Sequence, residues 1–247
     1  MKRTVLIAFY AASVLAGCAS LGPYKDTPRR CATEGDTLYL SGPTDADMLD
    51  CVEGADGIDR IVINSTGGDV ATAMAIGERV AALDVTLEVA PGCLSSCANY
   101  ILPVARDVVL APGFLLLSHG GIDDGLVEKA VADDPRASAL SEFADAQAAY
   151  ARRHGIPPGW LFRRRTAAAY DTGLGEDVTG EPTGLADAER IRFTALEPAF
   201  IASCLPDLPV VVKRDDRAEA ARSRVMASQD ALPSGGMRCR PGASWDD

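Results

Sequence analysis

Hydrophobic and polar positions fall into clear periods through the middle of the chain. Thr37-Leu38-Tyr39-Leu40-Ser41 alternates with period two and predicts a strand. Asp45 to Glu53 predicts a short helix. Ile58 to Asn64 is a β-branched run that predicts a second strand, ending in Ser65-Thr66-Gly67-Gly68. Asp69 then opens an amphipathic helix, because Val70, Ala73, Met74, Gly77, Val80 and Ala81 recur at three- and four-residue steps with Glu78 and Arg79 opposite. Thr86 to Val89 predicts a third strand. Pro91-Gly92 turns into Cys93-Leu94-Ser95-Ser96-Cys97, where another helix starts. Val108 to Leu110 and Phe114 to Leu117 predict two short strands around the turn Ala111-Pro112-Gly113. The second delivers Ser118-His119-Gly120-Gly121.

Strand, helix, strand, helix, strand is the alternation of an α/β fold with parallel strands. A long helix is expected from Pro135 to His154, with Leu140, Phe143, Ala144, Tyr150 and Ala151 on one stripe and Gly155 as its stop. Ile156 to Asp177 is mixed and basic. Leu185 to Phe200 reads as one or two short helices. The stretch after Cys204 is charged and turn-rich, with one exposed helix near Asp215 to Gln229.

Composition narrows the partners. Apolar residues make up 47% of the 247, which excludes a disordered chain. The net charge of −11 argues against nucleic acid, which needs a basic face. The seven cysteines are an odd number, and the N-terminus explains it. Lys2 and Arg3 precede an apolar run from Val5 to Leu15, too short to span a bilayer and consistent with a signal peptide. It ends in Leu15-Ala16-Gly17-Cys18, which resembles the bacterial lipobox. The resemblance implies cleavage before Cys18 and lipidation of Cys18. Ala19, in place of an aspartate, points to the outer membrane facing the periplasm. The mature chain then has 230 residues and, with Lys2 and Arg3 gone, a charge of −13. Six cysteines remain in an oxidising compartment, and proximity along the chain suggests the pairs Cys31–Cys51, Cys93–Cys97 and Cys204–Cys239. The expected organisation is a signal peptide over 1–17, a lipidated tether over 18–36, an α/β domain over 37–203 and an acidic, disulfide-tied tail over 204–247.

Chemistry concentrates in the best-patterned stretch. Gly67-Gly68 ends a strand, Ser95 and Ser96 sit at a second strand-to-helix turn, and His119 ends a third strand. An open α/β sheet puts functional groups outside the carboxyl ends of its strands. Acyl transfer needs a nucleophile, a base within reach and amide donors for the oxyanion. Each part alone has a plainer explanation: a turn diglycine, a serine N-cap, a structural histidine.

Together they resemble the Clp protease/crotonase superfamily. Ile61-Val62-Ile63-Asn64-Ser65-Thr66-Gly67-Gly68-Asp69-Val70 is similar to the IxxNSPGGxV stretch of the Clp proteolytic subunit. Gly92-Cys93-Leu94-Ser95-Ser96-Cys97-Ala98 stands at the place of its GxAASMGA, and Leu110 to His119 at the place of its LPxxxxxxH. The cysteine-flanked CxSxC form is closer still to secreted Clp-protease-like bacterial proteins. The resemblance covers roughly Thr37 to Phe193. It implies a repeated β-β-α superhelical spiral with a parallel sheet. It carries the nucleophile onto Ser95, with Ser96 as the alternative, and the base onto His119. The oxyanion donors fall on the amides of Gly68 and Ser96. The acid lies among Asp171, Glu176, Asp177 and Glu181, with Asp177 or Glu181 favoured. Thr66 replaces the motif's proline, and Cys97 replaces the glycine two after its serine.

Other chemistries fit less well. Cys97 as a thiol nucleophile conflicts with an oxidising compartment, and zinc on Cys93, Cys97 and His119 lacks a fourth ligand. A serine–lysine dyad has Lys129 as its sole candidate. Arg163-Arg164-Arg165 reads as a solvated face. The resemblance, taken with the compartment, implies an ATP-independent serine hydrolase acting on a peptide or small acyl substrate, with no cofactor and no metal. The alternative is a catalytically inactive binding or envelope-organising lipoprotein on the same fold. Relatives form trimers, hexamers or heptameric rings, so a homo-oligomer is compatible with the resemblance.

Overall fold

The computed structural model describes residues 29–118, 120–121, 138–161, 170–171, 193–228, 231–234, 238–239 and 245. Cys18, Lys129, Arg163 to Arg165, Glu176, Asp177 and Glu181 lie outside the described residues, as does His119.

The strands are β1 (Arg30–Glu34), β2 (Thr37–Thr44), β3 (Arg60–Gly68), β4 (Thr86–Leu94), β5 (Asp107–Leu110), β6 (Leu115–Ser118), β7 (Tyr170–Asp171), β8 (Phe193–Ala195), β9 (Val210–Val212), β10 (Ala231–Pro233) and β11 (Arg238–Cys239). The helices are α1 (Ala46–Glu53), α2 (Val70–Leu83), α3 (Ser138–Arg153), α4 (Pro158–Leu161), α5 (Pro198–Cys204) and α6 (Asp216–Ser228). A π-helical turn, Cys97–Ile101, runs into a 3-10 turn, Leu102–Val104. Nine of these strands form one mostly parallel sheet in a mixed α/β fold, with path β1-β2-β3-β4-β6-β8-β10.

The predicted helix starts rest on side-chain caps. Asp45 Oδ1 accepts the Met48 N–H at 3.2 Å, and Asp69 Oδ1 accepts the Thr72 N–H at 2.8 Å. Each satisfies an amide that the first helical turn leaves without a partner. Alternate positions of β2 and β3 are buried, so the period-two pattern describes which face meets the core. Ile61 and Ile63 on β3 and Ile76 and Val80 on α2 are all fully buried there.

β4 has two sets of partners. Thr86 to Val89 pair with β5, whereas Gly92 to Leu94 pair with β6. Ala90 and Pro91 separate the halves, and between Ile63 and Ser65 of β3 the register slips by two residues on the β4 side. Proline lacks the N–H a continuous ladder needs, so the strand changes neighbours there. The fork brings the carboxyl ends of β3, β4 and β6 together.

Several segments differ from the sequence expectation. β1 falls within the stretch expected as a tether; it pairs antiparallel with β2 and is tied to α1 by Cys31–Cys51. Phe193–Ala195, within a stretch read as helical, is a strand antiparallel to β6. Three residues are too few to display a period. The stretch after Cys204 gives the expected helix as α6, but it also gives β9, parallel to β5, and β10, parallel to β8. All three disulfide pairs expected from sequence proximity are present.

α3 docks through polar groups that its hydrophobic stripe does not reveal. The Tyr150 hydroxyl donates to the Tyr100 carbonyl at 2.6 Å, and the Tyr100 hydroxyl donates to Gln147 Oε1 at 2.5 Å. Burial pushes the pKa of both phenols up. Burial also acts to raise the Glu78 carboxyl, but hydrogen bonds from Arg153 and His154 outweigh it and hold the pKa below the usual value. Gly77 of α2 makes this docking fit, since a β-carbon there would lie 2.0 Å from the Tyr150 hydroxyl and 2.6 Å from the Tyr100 carbonyl. Gly77→Ala is therefore expected to destabilise by about 1–3 kcal/mol, the usual cost of overpacking, despite alanine's better helix propensity. Denaturant unfolding checks this; a midpoint at or above that of the wild type contradicts it.

Candidate active site

The Ser95–Ser96 turn and the diglycine meet face to face. Ser95 is 2% exposed and has φ +55°, a left-handed backbone rare for a residue with a side chain. Residues held in such sparsely populated regions cost about 1–3 kcal/mol and persist only where surrounding structure dictates them. Three contacts do so. The Ser95 N–H donates to the Leu117 carbonyl at 2.6 Å, extending the β4–β6 ladder by one residue. The Ser95 carbonyl accepts the Asn99 N–H at 3.0 Å, starting the next turn. The Cys93–Cys97 disulfide closes covalently around both serines, with both cysteines fully buried.

Gly67, at φ +77°, lies directly against this turn. A β-carbon on it would be 2.5 Å from the Leu94 carbonyl and 2.7 Å from the Ser95 Cβ. Only glycine permits that approach. Gly68 faces Thr44 at the end of β2, where its β-carbon would lie 2.7 Å from the Thr44 carbonyl.

The two serines have different surroundings. Ser96 Oγ accepts the Gly68 N–H at 2.8 Å and shares a 2.9 Å hydrogen bond with Thr44 Oγ1. All three groups belong to one buried polar network at the ends of β2, β3 and β4. Counted from Gly92 alone, the GxAASMGA motif would meet Ser96, whereas the CxSxC form centres on Ser95. Ser96 Oγ is committed to the Gly68 amide, and Ser95 occupies the strained junction. An amide has one hydrogen, so Gly68 is not open to an oxyanion while that bond stands.

The loop after β6 is anchored on both sides of residue 119. Ser118 Oγ donates to Asn99 Oδ1 at 2.5 Å, and Asn99 Nδ2 donates to the Gly120 carbonyl at 2.9 Å. Sequence reasoning missed Asn99. Its signal was a carboxamide in the apolar run from Cys97 to Val104, one turn after Ser95. Asp171 lies on β7, opposite Arg238 of β11. The structure thus brings Ser95, Ser96, Gly67 and Gly68 together, while the acid candidates Glu176, Asp177 and Glu181 are outside the described residues.

The disulfide removes two alternatives. Cys97 has no thiol with which to attack, and Cys93 and Cys97 have no thiolates for zinc. Among the described residues, no group of three or more His, Cys, Asp and Glu side chains is placed to hold a metal ion. Among the described residues, no helix is long and apolar enough to cross a membrane.

No protein-family model matches the chain, and no curated protein matches it. Among solved structures the chain is similar to a mutant of the 1510-N membrane-bound stomatin-specific protease, at 13% identity and a TM-score of 0.40, over 78% of this chain and 86% of that one. It is also similar to an enoyl-CoA hydratase from Bacillus halodurans, at 10% identity and a TM-score of 0.29, over 36% of this chain. The match spans about half of the hydratase, 51% of its chain. The likeness is distant, and the chemistry is read from this chain's own residues.

The Cys93–Cys97 bond has a local purpose on energetic grounds. Chain-entropy reasoning gives about 2 kcal/mol for closing so short a loop, against about 3–4 kcal/mol for loops the length of the other two. Replacing both cysteines by alanine is therefore expected to cost about 2 kcal/mol of unfolding free energy. The backbone at Ser95 should loosen beyond what that loss implies. Hydrogen exchange at the amides of Ser95 and Asn99 checks this; unchanged protection relative to the global stability contradicts it.

Proposed function

We propose that this chain is an ATP-independent serine hydrolase of the Clp protease/crotonase type, built on a superhelical β-β-α spiral. The observation that carries the reading is the left-handed Ser95 at the end of β4, held against Gly67 and bonded to the strand that leads to His119. In this reading Ser95 Oγ attacks the substrate carbonyl and His119 accepts its proton. The Ser96 amide stabilises the oxyanion, and His119 returns the proton to the leaving group. Water then hydrolyses the acyl-serine. Asp177 or Glu181 supplies the acid that orients His119. Peptides or small acyl compounds of the cell envelope are the substrates. The site calls for no cofactor.

The chain is proposed to be a lipoprotein anchored through Cys18 in the outer membrane and facing the periplasm, with 204–247 as a disulfide-tied extension of the domain. Expression with radiolabelled palmitate tests the anchor. Wild type should incorporate label and Cys18→Ser should not; equal incorporation contradicts the anchor.

A second reading, a binding protein on the same fold, is favoured by one observation: Ser96 Oγ fills the Gly68 amide that an oxyanion would use. Labelling of the oxidised mature protein with a fluorophosphonate probe decides between them. The probe loses fluoride as serine oxygen bonds to phosphorus. Labelling is expected in wild type, lost in Ser95→Ala and reduced about 100-fold or more in His119→Ala, the scale of general-base loss. Ser96→Ala should keep labelling and gain rate as the Gly68 amide is released. Absence of labelling in wild type favours the binding reading, and loss in Ser96→Ala alone moves the nucleophile to Ser96.

A further inference from the structure

Asn99 is 1% exposed within an apolar turn, where a buried carboxamide is costly unless both its ends are satisfied. Both are. Oδ1 accepts from Ser118 Oγ at 2.5 Å and Nδ2 donates to the Gly120 carbonyl at 2.9 Å. These partners are the two chain neighbours of His119. The Gly120 N–H also donates to Ser118 Oγ at 3.1 Å, so Ser118, Gly120 and the Asn99 carboxamide close one ring of hydrogen bonds.

Asn99 is itself fixed. Its N–H donates to the Ser95 carbonyl at 3.0 Å, and its carbonyl accepts Trp160 Nε1–H at 3.1 Å from a fully buried indole. The Gly121 N–H donates to the Leu161 carbonyl at 2.7 Å, which ties the far end of the loop to the same α4 segment. Apolar packing would fill this space without a polar side chain. Asn99 joins the Ser95 turn, through its backbone, to both flanks of residue 119, through its carboxamide.

We propose that Asn99 is a positioning residue for the His119 base, fixing the backbone that carries it relative to the turn that carries Ser95. The inference rests on the serine-hydrolase reading. Asn99 touches no reacting atom; it acts through His119. Losing it lets the base drift, and a misplacement of about 1 Å costs up to about 100-fold in rate.

A double-mutant cycle on the fluorophosphonate labelling rate of the oxidised mature protein tests this, using wild type, Asn99→Ala, His119→Ala and the double variant. Asn99→Ala should slow labelling about 10- to 100-fold. In the His119→Ala background the same change should add nothing, because the group it positions is gone. A merely structural role would persist in both backgrounds. If Asn99→Ala does not fold, Ser118→Ala severs the same link from its other end and completes the same cycle. Wild-type rates in a folded Asn99→Ala variant, or an effect undiminished without His119, overturn the positioning role and leave the hydrolase reading standing. Absence of labelling in wild type overturns the hydrolase reading and this inference with it.

Discussion

The end of β3 and the end of β4 come so close that residue 67 has no room for a β-carbon. Its carbon would strike a backbone carbonyl, which cannot swing aside as a side chain can. That one steric limit sets the register between the diglycine and the serine turn. The bulge in β4 lies beside it, where the four steps from Val89 to Cys93 on β4 match the two steps from Ile63 to Ser65 on β3. The left-handed backbone at Ser95 sits at the same contact, where the chain leaves β4 for the π-helical turn.

Covalent and polar restraints are layered on that contact. The Cys93–Cys97 bond closes the turn from the core side, the Leu117 carbonyl holds it from β6, and Ser96 holds it from β2 through Thr44. None of these is worth much globally. A buried neutral hydrogen bond contributes about 1 kcal/mol net, and the short disulfide loop about 2 kcal/mol. Their value lies in acting on one turn of about five residues, where left-handed strain of similar size must be offset.

What the sequence disclosed follows from how far each signal reaches. Caps are local chemistry, so Asp45 and Asp69 marked their helix starts directly. Period-two burial in β2 and β3 and the i, i+4 spacing of α2 are also properties of one segment. The disulfides followed from chain proximity. The division of β4 between two neighbours could not be read, because alternation shows which face is buried and not which strand lies beside it. Phe193–Ala195, Val210–Val212 and Ala231–Pro233 are too short to carry a period. At the site, the residue types were legible and their couplings were not. Motif position marked the amides of Gly68 and Ser96, but not the bond between the Gly68 N–H and the Ser96 side chain. Asn99 was passed over because a single polar residue in an apolar run gives no spacing to count.

Gln147 joins distant parts of this arrangement. It sits on α3, accepts the Tyr100 hydroxyl, and occupies the space where a side chain at Gly121 would be, 2.5 Å from Oε1. Tyr100 belongs to the π-helical turn that follows the serines, and Gly121 to the loop that follows residue 119. One carboxamide on a surface helix therefore abuts both halves of the site at once. The opposite side of α3, with Ser141, Glu142, Asp145 and Ala149 exposed, is open to solvent. The side of α3 that meets solvent and the side that meets the candidate site therefore lie within one turn of each other, with Gln147 placed between Tyr100, just past the Ser95–Ser96 turn, and Gly121.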